Sequence, residues 1–232
     1  MGSDFVTFNV EERPSESPFV ETIWRAYSER TGTFLSQAAS YWEMVVTRHA
    51  GQTTMTVRGP ETRATPMDVR WTEGEFLGIS FRLGTFMPYL PPGRIIDLRD
   101  AVLPLATSFS FSLCSSVFPF PDFDNADVFV ARLARAGLLV RDPVVEAVLE
   151  GRPHQWSPRS VQHHFLHATG LSHTAIRQIE RARQAASLLQ QGRSIADVMG
   201  QAGYYDQPHL TRALKRFTGR TPVRLARALQ PA

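Results

Sequence analysis

The hydrophobic period of this chain changes once, at "FPFPDFDN" (residues 118–125), and that change constrains the fold more than any other feature. Upstream, β-branched and aromatic residues come in short runs between turn residues, which is how strands read. Downstream, apolar residues recur at helical spacing. The stretch itself, with two prolines and an Asp-Asn pair, reads as a turn or linker. The expected class is α+β: an antiparallel β barrel or sandwich over residues 1–120, then an all-α domain over 126–232.

Within the β half, "YWEMVVTRHAGQTTMTVRGP" holds two strand-like runs around Gly51-Gln52, a hairpin pattern. "MDVRWTEGEFLGISFRL" repeats the design with Glu73-Gly74 as its turn, and "FVETIWRAYSER" reads as a further strand. The prolines of "LGTFMPYLPPGRIIDLRD" break the pattern. A small ligand fits the mouth of such a barrel, and Trp42, Trp71 and Phe81 are the aromatics expected to line it if they are not core. Cys114, alone among Phe, Ser and Leu, reads as a small core residue without the electropositive setting that activates a thiol.

The second half reads as a run of seven helices. In "ADVFVARLARAGLL" Val128, Leu133 and Leu138 fall among the apolar positions, and Gly137 ends the helix. "DPVVEAVLEG" starts with Asp-Pro and stops at Gly. "SPRSVQHHFLHATG" has a Ser-Pro cap and first turn. "SHTAIRQIERARQAASLLQQG" carries a stripe of Ile176, Ile179, Ala182, Ala186 and Leu189. "SIADVMGQAG", a basic helix and "TPVRLARAL" complete the series. Charge follows the same division. From Arg132 onward the chain has 15 Arg and Lys against 6 Asp and Glu, a balance of +9, whereas residues 1–131 carry −6. A basic half joined to an acidic one points to a polyanionic partner for the basic one.

A repeat sharpens that reading. Shifted by 49 residues, "SVQHHFLHATG" aligns with "HLTRALKRFTG". Val161, Phe165 and Ala168 share one face of the first helix, and Leu210, Leu214 and Phe217 the equivalent face of the second. The opposite faces carry Arg159, Gln162 and His163, and Pro208, Arg212, Lys215 and Arg216. Each helix follows a shorter one and a turn, the layout of a helix-turn-helix. Two such units can enter successive turns of one major groove, about 34 Å apart.

With the motif "SIADVMGQAGYYDQPHLTRALKRFTGRTP" the second half, from about Ala126 to Ala232, resembles the DNA-binding domain of AraC/XylS-type transcription regulators. The N-terminal part more loosely resembles the cupin-like sensor domains found in front of that module. The resemblance implies base reading by Arg159, Gln162 and His163 in the first unit and by Gln207, Pro208, Thr211 and Arg212 in the second. Lys215 and Arg216 suit phosphates, which position without reading sequence. His163 stands where the family usually has Arg, so a shorter side chain, largely neutral at pH 7, faces the DNA. Pro208 offers apolar contact only.

Double-stranded DNA is thus the expected partner. A small-molecule effector or a homodimer contact through the N-terminal domain is the expected control, and RNA polymerase a further partner of an activator. No catalytic residue, cofactor or metal is expected. The chain has no Gly-x-Ser-x-Gly elbow and no Gly-rich phosphate loop. His163 and His167 lie one turn apart, but zinc needs three converging ligands and no Cys or acidic residue sits nearby. Residues 1–131 hold only His49. The single cysteine, the lack of an apolar run of about 18 residues, and a start without a basic, apolar leader suit the cytoplasm. Arg outnumbers Lys 24 to 1, the composition of a GC-rich bacterial genome. Two alternatives remain at this level: a nucleoid-type binder with little sequence preference, and a ligand-binding or enzymatic barrel with the helical half as scaffold.

Overall fold

Strand placement follows from where the chain can turn and which runs can be buried on both faces. The computed structural model describes residues 8–69, 72–98 and 101–227. Its strands are β1 (Asn9–Arg13), β2 (Val20–Ser28), β3 (Gly32–Ser36), β4 (Glu43–His49), β5 (Gln52–Arg58), β6 (Thr65–Val69), β7 (Gly74–Phe81), β8 (Thr85–Phe86), β9 (Ala101–Val102), β10 (Leu105–Thr107), β11 (Ser110–Leu113), β12 (Ser116–Pro119) and β13 (Val140–Arg141). The helices are α1 (Ala126–Arg135), α2 (Pro143–Leu149), α3 (Pro158–Thr169), α4 (His173–Gln190), α5 (Ile195–Ala202), α6 (Gln207–Thr218) and α7 (Pro222–Arg227). The chain divides into two compact units. The first takes the described residues of Met1–Phe34, Tyr41–Pro60 and Asp68–Ser172; the second those of Leu35–Ser40, Glu61–Met67 and His173–Ala232.

In the first unit, an antiparallel sheet runs in the order β1-β2-β7-β4-β5-β9. It is open, with β1 and β9 at its edges, and does not close into the expected barrel. Strands β10, β11 and β12 form a second sheet, and β13 pairs with β8. Ile23, Met44, Val57 and Ile79 from the large sheet share one core with Phe111 and Phe118 from the small one. Helix α1 adds Phe129, Val130 and Leu133 to the same core, so it packs with the β region. Val128, expected on its apolar stripe, is 60% exposed because Phe129 and Val130 take the buried side.

The β4–β5 hairpin is present, but its register pairs His49 with Gln52. The turn is therefore Ala50-Gly51, with φ of 47° and 75°, one residue before the expected pair. Two positive φ values give the twist that a two-residue hairpin needs. The second expected hairpin does not form. Strand β7 is paired by β2 on one side and β4 on the other, so it has no edge left for β6, which pairs with β3. Cys114 is exposed, not core: it sits at φ 51° in the turn where Leu113 pairs with Ser116. The two-residue β13 interrupts an otherwise helical second half.

One polar knot fixes α1 against β1. Arg13 donates to the Phe123 carbonyl through Nε (3.0 Å) and Nη2 (2.7 Å), and pairs with Asp127 at 2.7 Å. The Ser15 hydroxyl donates to the same carboxylate. Burial alone would raise the Asp127 pKa, but the hydrogen bonds from Ser15 and Arg13 and the arginine's charge outweigh it and hold it below the ordinary value. A depressed carboxylate stabilises the fold fully above its unfolded pKa and loses that contribution as pH falls through the folded value. Arg13→Ala is expected to cost about 1–2 kcal/mol, discounted because both side chains are partly exposed. Urea midpoints at pH 7 and pH 3 check this: the deficit should shrink at the lower pH.

The second unit is built on α4, whose Ala185, Ala186 and Leu189 meet Val198, Leu210, Leu214 and Leu225 in a separate core. Tyr204, 5% exposed, closes that core under the Arg181 guanidinium, 4.6 Å from the ring centroid. Burial raises the Tyr204 pKa, with the arginine pulling it the other way. Among the described residues no helix is long and apolar enough to cross a membrane.

Candidate nucleic-acid interface

The second unit's α5–turn–α6 segment owes its shape to three caps. The Ser194 hydroxyl accepts from the Asp197 amide at 3.1 Å and starts α5. Gly203, at φ 67°, ends it, and the turn runs to Asp206, whose carboxylate accepts from the His209 amide at 2.6 Å to start α6. Pro208 lies in the first turn of α6, where its missing N–H costs nothing. Leu210, Leu214 and Phe217 turn inward. Gln207, Pro208, Arg212, Lys215 and Arg216 are exposed, and Thr211 is half-buried.

In the first unit, Ser157 caps α3 with Pro158 in the first turn, and Gly170 ends it at φ 73°. The ends of α3 and α6 share their chemistry. Thr169 Oγ1 donates to the Phe165 carbonyl, and Thr218 Oγ1 to the Leu214 carbonyl, each at 2.7 Å. Phe165 and Ala168 are buried, Val161 is half-buried, and Arg159, Gln162 and His163 are exposed. The connection from α2 to α3 runs from Glu150 to Ser157, longer than the Gly203–Asp206 turn between α5 and α6.

The three neighbouring histidines have different occupations. His164 Nδ1 lies 2.8 Å from Asp142 Oδ2, while Asp142 Oδ1 caps α2 by accepting from the amides of Val144 and Val145. One carboxylate thus starts α2 and ties α3 to it. His167 meets the Phe86 ring edge-on at 5.0 Å. His163 is exposed, its ring parallel to that of His167 with centroids 6.5 Å apart, in the position expected to face DNA.

The cations decide what these faces suit. Arg13, Arg25, Arg58, Arg82, Arg141 and Arg152 all pair with carboxylates. Arg159, Arg212, Lys215 and Arg216 take part in no ion pair among the described residues, and all four are exposed. Fixed, unneutralised positive charge on a helix with a buried opposite face suits a phosphate-lined groove.

A family model described as "Helix-turn-helix domain" matches residues 155–228. Residues 155–228 form a helix-turn-helix domain of the AraC type. The HTH-type transcriptional regulator RipA of Corynebacterium glutamicum is 38% identical to it over 91 residues. That match takes in 38% of this chain and 28% of RipA, so the chain spans well under two thirds of that relative. No solved structure matches the chain significantly. The matched range opens after α2, which ends at Leu149.

Outside the AraC-type domain, the large sheet carries a feature that the aromatic reading missed. Three rungs cross its inner face. Ile23, Ile79, Met44 and Val57 form the first, with Arg13 at its edge. Glu11, Arg25, Leu77, Val46 and Met55 form the second; Asn9, Tyr27, Glu75, Arg48 and Thr53 form the third. The face changes from apolar to charged in two steps. At the charged end lies a cavity of about 480 Å³, bordered by Glu11, Arg25, Tyr27, Arg48 and Glu75 and by Asp122–Asp124. Partial desolvation and the carboxylates of Glu73, Glu29 and Glu75 raise the Tyr27 pKa. Trp42 and Phe81 are not among these lining residues. They stack at 3.9 Å in the core, with the Trp42 indole N–H donating to the Thr85 carbonyl at 2.6 Å. Trp71 lies outside the described residues. The readable signal for the cavity was the i+2 spacing: Arg25 and Tyr27 continue the stripe begun by Ile23.

Proposed function

We propose that this chain is a sequence-specific, DNA-binding transcription regulator whose β half senses a small molecule. One observation carries the reading: Arg159, Arg212, Lys215 and Arg216 stay exposed and outside ion pairs among the described residues, on α3 and α6, whose opposite faces are buried. In this proposal residues 126–232 form the DNA-binding part and 1–120 a cupin-like sensing part. Arg159, Gln162 and His163 read bases through α3. Gln207, Pro208, Thr211 and Arg212 read them through α6, and Lys215 and Arg216 hold phosphates. Contact with RNA polymerase belongs to the activator form of the proposal, and a homodimer through the β half to either form.

The cavity supports the sensing role, and its lining sets the ligand chemistry. Arg25, Arg48 and Tyr27 border the same opening as Glu11, Glu75, Asp122 and Asp124, so a molecule with both an anionic and a donor group fits better than a purely apolar one. We therefore place the effector at the third rung and leave the Trp42–Phe81 stack to the core.

The test is selection by the full chain from a pool of random duplexes at physiological salt. Enrichment of two short clusters about one helical turn apart supports reading through both helices. No enrichment, with and without candidate effectors, overturns it. Lys215→Ala should weaken every sequence alike and flatten the slope of log affinity against log salt by about one. Titrations at several salt concentrations measure this.

A further inference from the structure

Two short pieces of the N-terminal half are built into the helical unit. They are Leu35–Ser40, where the chain leaves β3, and Glu61–Met67, which leads into β6. They bind each other first. The Ala39 amide donates to the Glu61 carbonyl at 3.1 Å, the Glu61 amide donates to the Ala39 carbonyl at 2.9 Å, and the Ser36 hydroxyl donates to Glu61 Oε2 at 2.6 Å.

Together they close the carboxyl end of α6. The last carbonyls of a helix have no partner within it. Here the Arg216 carbonyl accepts from the Ala64 amide and the Phe217 carbonyl from the Ala38 amide, both at 2.8 Å. Gly219 ends the helix at φ 70° and has no room for a side chain, since a Cβ there would lie 2.3 Å from Leu35 Cδ2 and 3.2 Å from Ala64 Cβ. A second attachment runs to α4, where Ser40 Oγ donates to Glu180 Oε1 at 2.6 Å and Arg183 Nη1 to the Ala38 carbonyl at 3.5 Å. Ala38, Ser36, Ser40 and Glu61 are all buried.

These bonds fall on the turn that displays the DNA-facing cations. The amide of Ala64 is bonded to the backbone of Arg216 itself, one residue from Lys215 and one helical turn from Arg212. We infer that the two straps, 35–40 and 61–67, are positioning elements of the reading helix, so that the second DNA-reading head is completed by residues of the N-terminal half. The inference rests on the DNA-reading role proposed above for α6.

The experiment uses full-length Ala38→Pro and Ala64→Pro, each of which removes one strap amide donor. Arg212→Ala first identifies which selected cluster belongs to α6. The expected result is an affinity loss of about tenfold, the equivalent of one lost buried hydrogen bond. Base preference should flatten at the α6 cluster while the α3 cluster stays sharp. A merely structural role would not produce that division. Wild-type affinity within about twofold, with both clusters sharp, overturns the inference. If the proline variants lose helical circular dichroism, Ser40→Ala decides, because it leaves every backbone bond in place and cuts only the tie to Glu180. It should flatten the α6 cluster, with rescue by Ser40→Thr, and unchanged preference overturns the inference. A wild-type chain that enriches no sequence overturns the DNA-reading role itself, a result distinct from either.

Discussion

Leu214→Ala is expected to lower the stability of the second unit by about 2–5 kcal/mol, the usual range for truncating a fully buried leucine. Leu214 is 0% exposed and packs with Ala185, Leu189, Val198, Leu210 and Leu225. The spread in the estimate reflects collapse: α4 offers mostly alanines here, which cannot move in to fill the space. Two probes separate this core from the other. Trp24, Trp42, Trp71 and Trp156 all fall within the sequence ranges of the first unit, so tryptophan fluorescence reports that unit alone. In urea, part of the helical circular dichroism should melt earlier in the variant while the tryptophan midpoint stays in place. A tryptophan midpoint that moved by the same amount would mean that the two cores unfold as one cooperative body. DNA binding should fall with the early transition, because α6 is held in its orientation by the face that Leu214 anchors.

The helical half was largely legible because its boundaries are written in local chemistry. Ser157-Pro158 and Gly170, Ser194 and Gly203, and Asp206 and Gly219 each mark a start and a stop that depend only on neighbouring residues. The β half was legible in its strands but less so in their pairing. Nothing local to "MDVRWTEGEFLGISFRL" says that β7 already has β2 and β4 as neighbours, since that is settled by β2, some fifty residues earlier. Cys114 misled for a related reason: an apolar neighbourhood in sequence says little about a residue that lands in a two-residue turn. At the candidate interface, the 49-residue repeat anticipated which faces of α3 and α6 are buried. It said nothing of what holds α6 at its far end. The donors from Ala38 and Ala64 are backbone amides, which every residue but proline carries, so no side-chain pattern announces them.

Arg212→Ala is expected to cost about 1–3 kcal/mol of DNA binding, roughly 5- to 150-fold, and to relax preference at one base position. Arg212 is exposed, is one turn along α6 from Pro208, and takes part in no ion pair among the described residues, so its guanidinium is available without first breaking a contact in the protein. A guanidinium can donate to both O6 and N7 of one guanine, and no other base presents two acceptors there. That geometry is why the loss should be selective, in contrast to the uniform weakening expected at Lys215. Competition of the wild-type and variant chains for duplexes that differ only at the affected position measures the difference. A variant that weakened all four bases alike would assign Arg212 to the phosphate backbone, and base reading by this helix would then fall to Gln207 and Thr211, nearer its amino end. A variant with unaltered affinity would remove α6 from the groove altogether and leave the reading to α3.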